Sequence, residues 1–123
     1  MNKANEIQNP IRINEEILKA FHLMWDPFPH GVLLLKKNRT IVDANLKALE
    51  RGVILGSKCY ALTGKGTGIH PGCLADDALK ESLSKRTIIK RDGQIIDSYW
   101  LPIKGEEDLF VHFTIYTNEQ KVA

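Results

Sequence analysis

The stretch "GVLLLKKNRTIVDAN", Gly31–Asn45, decides how the rest of the chain is read. Gly31–Leu35 is an apolar run, Lys37-Asn38-Arg39 interrupts it, and Thr40–Val42 resumes a β-branched one. Two short strands joined by a tight turn fit that order. Asp43 and Asn45 follow, and both residue types cap helices. "LKALE" then leads to Gly52, where a short helix is expected to stop. The local reading is a hairpin that feeds directly into a helix.

Upstream, residues 1–12 form a polar lead-in. Asn14 is placed to cap a helix, with Glu15 and Glu16 in the first turn where the helix dipole favours acids. Ile17, Leu18, Phe21, Met24, Trp25 and Phe28 recur at three- and four-residue spacing, which predicts an amphipathic helix over 14–28. Pro27 and Pro29 end it.

Downstream, "CLADDALKESLSK" predicts another helix, with Leu74, Ala78, Leu79 and Leu83 along one side. "RTIIKRDGQIIDSYWLPI" predicts a hairpin with Asp92-Gly93 at its tip. "KGEED" (Lys104–Asp108) is read as a turn into "DLFVHFTIYT", which alternates cleanly. Leu109, Val111, Phe113 and Ile115 point one way; Phe110, His112, Thr114 and Tyr116 point the other. Five hairpin-linked strands interrupted by short helices imply an α+β fold: an antiparallel sheet with helices on one face. Residues 13–120 are expected to form a single domain.

Composition narrows the function. In 123 residues, 43% are hydrophobic and 26% charged, which fits a packed domain and excludes wholesale disorder. A net charge of +2, with basic residues spread along the chain, gives no basis for nucleic-acid binding. The longest apolar run, "GVLLL", is far short of the ~20 residues a membrane helix needs, and the N-terminus carries no export signal. A cytoplasmic location follows as the expectation. There, two cysteines are expected to be free, metal-bound or redox-active instead of a structural staple.

Taken in order, these segments resemble a PAS (sensory-box) domain. "HGVLLLKKNRTIVDANLKAL" is similar to that family's opening hairpin and helix, with Asp43-Ala44-Asn45 at the strand-to-helix step. "GSKCY" resembles the start of the next helix, "DGQIIDSYWLPI" the long central hairpin with a late proline, and "FVHFTIYTNEQK" the last strand. The match spans roughly residues 20–120. It implies a five-stranded antiparallel sheet cradling a small-molecule pocket, walled by the helices between the second and third strands. It also implies a leading helix that packs on the outer sheet face or forms a dimer. Family members are generally not enzymes; they sense ligands or redox state and pass the change to a partner such as a kinase. Because the last strand lies close to the end of the chain, the output is expected to be a separate protein.

Some PAS domains carry G-x-x-C-Y followed by C-x-x-C-[PL]. Here Gly56-Ser57-Lys58-Cys59-Tyr60 matches the first part, and His70-Pro71-Gly72-Cys73-Leu74 the second, with His70 in place of a cysteine. Cys59, His70 and Cys73 are therefore a candidate three-ligand metal site, since histidine and cysteine both bind zinc and iron. Two alternatives stay open. A reversible Cys59–Cys73 disulfide would close a loop of thirteen intervening residues, worth roughly 3 kcal/mol in the chain-entropy model. Otherwise both thiols are simply packed, with Cys73 in the first turn of its helix. "TGKGTG" is not a P-loop: position 59 holds cysteine where the pattern needs glycine, and Gly66 follows the lysine. "SKCYALTG" does not reproduce the asparagine-cysteine-arginine motif of flavin-adduct PAS domains, so that chemistry is not expected. The cofactor is thus open between a metal ion, a small organic ligand and none.

The expectation is a stand-alone sensory module, not an enzyme, binding a small molecule or reading redox state. Its ligand pocket is placed between the sheet and residues 53–83, lined by Leu33, Leu35, Val42, Leu109, Val111, Phe113 and Ile115. Phe21, Trp25 and Phe28 are the candidate dimer or partner surface, with packing onto the chain's own sheet as the alternative. His112 is read as a packed strand residue, His22 and His30 as surface or capping groups. A ligand-free dimerisation or adaptor module is the second reading. A thiol enzyme using Cys73 with His70 as base is the third.

Overall fold

The computed structural model describes residues 14–62 and 68–118. The polar lead-in lies outside the described residues, as do Thr63–Thr67 of the glycine-rich loop. The elements are α1 (Glu15–Trp25), β1 (Leu33–Lys36), β2 (Ile41–Ala44), α2 (Leu46–Glu50), a single 3-10 turn (Cys59–Ala61), α3 (Ala75–Glu81), β3 (Lys85–Arg91), β4 (Gln94–Ile103) and β5 (Glu106–Asn118). The five strands form one sheet in the order β2-β1-β5-β4-β3, and every pairing is antiparallel. The α+β architecture expected from the pattern is the one observed, and it is PAS-like.

The turn chemistry works as written. Asp92 and Gly93 take φ of 51° and 78° at the β3–β4 tip, the positive-φ pair that a tight twisted hairpin requires. The β4–β5 turn is shorter than "KGEED": Lys104-Gly105 makes it, and Glu106 already belongs to β5. α1 stops at Trp25, ahead of the expected 28, because Pro27 forbids a further helical turn.

Both faces of the sheet are covered, and this overturns part of the expected facing. The inner cluster joins Leu33, Leu35, Ile41, Trp100 and Phe110 to Ala48, Ala75 and Ala78 of α2 and α3. The outer cluster joins Val32, Leu34, Val111 and Phe113 to Phe21 of α1, with Trp25, Phe28, Val42 and Ile115 packed against it. Leu33 and Leu35 thus face inward as expected. Val42, Val111, Phe113 and Ile115 do not, and Leu109, two residues before Val111, shares their outer side of the strand.

Register explains the reversal. β1 pairs Leu35 with Phe110 and Leu34 with Val111, so Phe110 and His112 take the inner side. In β2 a bulge sets Ile41 opposite Leu35 and Asp43 opposite Leu34, leaving Val42 as the extra residue. Alternation separates two faces of a strand but does not say which helix covers which face. Here α1 makes the outer face apolar too.

The candidate dimer surface is corrected for the same reason. Phe21 is buried, and Trp25 and Phe28 pack against Phe113, tilted and edge-on, at centroid distances of 5.4 and 5.1 Å. Met24, placed on the stripe by its spacing, is instead 67% exposed beside Leu23 at 80%.

Two polar devices lock α1 and β1 to α2. Asn45 is fully buried at the N-cap of α2. Its Oδ1 accepts from the N–H of Val32 (2.9 Å) and Ala48 (3.1 Å). Its Nδ2 donates to the carbonyls of Trp25 (2.8 Å) and His30 (2.9 Å). Gly31 lies in the span so held; a Cβ there would stand 3.3 Å from the Ala48 Cβ.

His22 on α1 puts Nδ1 2.9 Å from Asp26 and Nε2 2.8 Å from Asp43. With a carboxylate at each ring nitrogen, only the imidazolium satisfies both. The Asp26 hydrogen bond, and behind it the Asp43 charge, hold the ring above its ordinary pKa against the opposing effect of burial. It is a tie between elements, more than the surface group expected.

Asn45→Ala is expected to destabilise the chain by about 3 kcal/mol, because the buried N–H groups of Val32 and Ala48 and the half-buried His30 carbonyl lose this partner at once, while the Trp25 carbonyl keeps only the Phe28 N–H. Urea unfolding measures this, with Asn38→Ala in the β1–β2 turn as a control costing under about 1 kcal/mol. For His22 the folded pKa is raised. Its contribution is therefore full below the ordinary value near 6.5 and is lost as pH rises through the folded value. The stability difference between wild type and His22→Gln should shrink with rising pH across that window, as parallel unfolding series would report.

Candidate functional site

The β1–β2 turn carries the feature that the sequence reading passed over. Arg39 closes the turn with its N–H on the Lys36 carbonyl (2.7 Å), and its φ is +74°. A side chain other than glycine in that region is strained. The backbone beyond the turn is then gripped from the side. Cys59 N–H donates to the Arg39 carbonyl (3.0 Å), Ile41 N–H to Ser57 (2.8 Å), and Gly56 N–H to Ile41 (2.8 Å). Residues 56–59 therefore run beside 39–41 like an added strand, bridged at Thr40 and Lys58.

From this strained position the Arg39 side chain turns inward and is 1% exposed. Nη1 donates to the Lys37 carbonyl and to Asp76 at the start of α3 (3.1 Å). Nη2 donates to the Cys73 Sγ at 3.5 Å, and Cζ lies 5.8 Å from the centroid of the Phe110 ring. Burial works against the charge, and the Asp76 and Cys73 contacts more than offset it, so the guanidinium keeps its proton. Nε has no hydrogen-bond partner, the one buried side-chain nitrogen or oxygen among the described residues in that state. A buried donor without a partner costs about 1–3 kcal/mol.

An open cavity of about 430 Å³ lies at this junction, lined by Lys37, Asn38, Arg39, Ile69, Asp76 and Asp108. Asp108 braces its far wall: its Oδ1 accepts from the Lys37 N–H at 3.0 Å, and its Oδ2 lies 3.6 Å from the Lys36 Nζ. The walls thus carry cations and carboxylates in equal number, with one apolar side chain.

The expected metal set is not assembled. Cys59 and Cys73 are free, half-buried thiols packed against the inner cluster, while His70 is exposed. Among the described residues, no group of three or more His, Cys, Asp or Glu side chains is placed to hold a metal ion. Burial, chiefly, pushes the Cys59 thiol above its ordinary pKa.

His112 stacks on Trp100 at 5.0 Å, with Nδ1 2.8 Å from the Tyr99 carbonyl. That contact makes Nδ1 the donor. Burial lowers the ring's pKa and keeps it neutral. The ligand was expected between the inner sheet face and residues 53–83; where α3 covers that face, among the described residues, Trp100, Phe110, Ala75 and Ala78 pack together.

Arg39 was legible only as one polar residue of a turn. Asp76 was legible only as one polar residue of the predicted "CLADDALKESLSK" helix. Nothing in the spacing says that the two meet, because 37 positions separate them.

Comparison with known proteins bears on the fold. No protein-family model matches the chain, and no curated protein does. Among solved structures, a sensory box sensor histidine kinase from Vibrio cholerae aligns with a TM-score of 0.54 at 13% identity, over 94% of this chain and 96% of that one. At that identity the likeness is one of fold. Among the described residues, no helix is long and apolar enough to cross a membrane.

Arg39 is the buried member of its ion pair and Asp76 is 58% exposed, so Arg39→Met removes a charge from the interior and leaves the carboxylate in water. Arg39→Met should therefore melt no lower than the wild type, while Asp76→Ala, which strips the charge of its partner, should lose roughly 1–2 kcal/mol. Thermal unfolding of the two variants checks both. A Met variant that loses more than about 3 kcal/mol would make Arg39 a structural strut.

Proposed function

We propose that this chain is a non-enzymatic sensory module of the PAS kind that reads its input at the Arg39 junction. The input is a small molecule or a redox change. The output goes to a separate signalling protein, and the likeness to a sensor histidine kinase favours a kinase as that partner. The module works in the cytoplasm. One observation carries the reading. Arg39 combines a strained backbone, a buried charge and an idle donor, at a cavity formed by elements from both ends of the fold. Such features persist at functional sites more often than in plain scaffolding.

The junction is built to transmit. It touches β1–β2 through Lys37 and Arg39, α3 through Asp76, and β5 through Asp108. A change in the Arg39 contacts therefore reaches the sheet directly, and α1 rests on the other side of that sheet. On α1, Leu23 and Met24 are exposed apolar side chains open to a partner or a second copy, now that Phe21, Trp25 and Phe28 are used internally.

The adaptor reading has one observation of its own. The inner cluster is filled by the chain's own side chains, which leaves an internal ligand little room. The readings separate in a thermal-shift screen of small molecules under reducing and oxidising conditions. A ligand at one hundred times its Kd adds about 2.7 kcal/mol to stability, well within detection. The sensory reading expects at least one compound or redox condition that shifts the wild type and fails to shift Arg39→Met. An unmoved transition throughout supports the adaptor.

A further inference from the structure

We propose that Cys73 is an oxidation site for hydrogen peroxide or a small alkyl hydroperoxide, and that Arg39 is the group that holds the oxygenated sulfur. This rests on the sensory reading and names its input.

Two independent features meet at one sulfur. Cys73 is a free, partly exposed thiol whose Sγ lies 3.5 Å from Arg39 Nη2. The guanidinium is almost wholly buried, and its Nε has no partner. A thiol is a weak acceptor and occupies one donor of the fork. An S–O group is a strong acceptor, and it would use the donor that now stands idle. The fork is thus better matched to the oxidised sulfur than to the reduced one.

The reaction balances without another reagent. The thiolate attacks one peroxide oxygen; an S–O bond forms and the O–O bond breaks. Sulfur loses two electrons, and the peroxide is reduced by two. The leaving hydroxide, or the alkoxide of an alkyl hydroperoxide, takes up the proton that the thiol released and departs as water or the alcohol. The product is a sulfenic acid on Cys73, whose oxygen accepts from Nε and Nη2 of Arg39.

Cys59 is the natural control. It sits on the same cluster, its backbone is tied to the Arg39 carbonyl and the Arg39 charge acts on it, but among the described residues no guanidinium hydrogen bond reaches its sulfur. Burial raises its pKa, which holds it as the unreactive thiol. It also stands close enough to Cys73 for their charges to interact, so the sulfenic acid is best trapped in a Cys59→Ser background.

The test treats reduced full-length chain with hydrogen peroxide in the presence of dimedone and maps adducts by peptide mass spectrometry. Expected is an adduct on Cys73 in Cys59→Ser, none on Cys59 in Cys73→Ser, and labelling slowed about tenfold or more in Arg39→Met. Arg39→Lys, which keeps the charge and removes the fork, should also label more slowly than Cys59→Ser alone. Preferential labelling of Cys59 would overturn the assignment, and so would a rate unchanged in both Arg39 variants. If Cys73 labels as described while neither oxidation nor any small molecule moves the melting transition of the wild type, the site stands and the sensory reading falls. If a small molecule shifts the transition while Cys73 stays inert, the sensory reading stands and this inference falls.

Discussion

The whole arrangement hangs on Asn45. One side-chain amide, with no exposed surface, joins the end of α1, the segment before β1 and the first turn of α2. All four of its hydrogen-bonding positions are used, which is the most an amide can do. Without it, the N–H groups of Val32 and Ala48 would be stranded in the interior and the carbonyls of Trp25 and His30 would each lose a donor. Because both β1 and α2 take their position from this amide, so does the β1–β2 turn that presents Arg39. The His22 tie between Asp26 and Asp43 then fastens α1 to the same corner from outside.

Much of the architecture was legible because it rests on local chemistry. Capping asparagines, the Asp92-Gly93 turn and strand alternation in β5 each act over a few residues and appear where they were expected, while the proline stop ends α1 at Trp25, earlier than expected. What failed was facing. In β5 the two sets of alternating residues were separated correctly, but both are apolar near the middle of the strand. Only pairing with β1 decides that Phe110 looks inward and Phe113 outward. In β2 the bulge at Val42 breaks the period of two, and no sequence rule announces it. The aromatic stripe on α1 was real, yet an aromatic stripe reads the same whether it meets another chain or its own sheet.

The site was less legible still, for a physical reason. Arg39 matters because of partners drawn from positions 37, 73 and 76 and because of a backbone angle that composition does not report. The loop that drew attention, with Cys59, His70 and Cys73, does contribute, but through one thiol on an arginine and not as a ligand set. A buried charge in this setting adds little to stability. Its idle Nε and strained backbone both count against the folded state. The account is that this donor is held in reserve for a stronger acceptor.

The most direct measurement is the Nε–H signal of Arg39 in an ¹⁵N–¹H spectrum of the arginine side chains, assigned by its loss in Arg39→Met. In the reduced chain the account predicts a solvent-protected resonance at the position of an unbonded Nε–H. On treatment with peroxide that resonance should move downfield as Nε takes an oxygen acceptor. A signal already at a hydrogen-bonded position, or one that exchanges freely with water and ignores peroxide, would contradict the claim that Arg39 keeps a buried donor ready for its input.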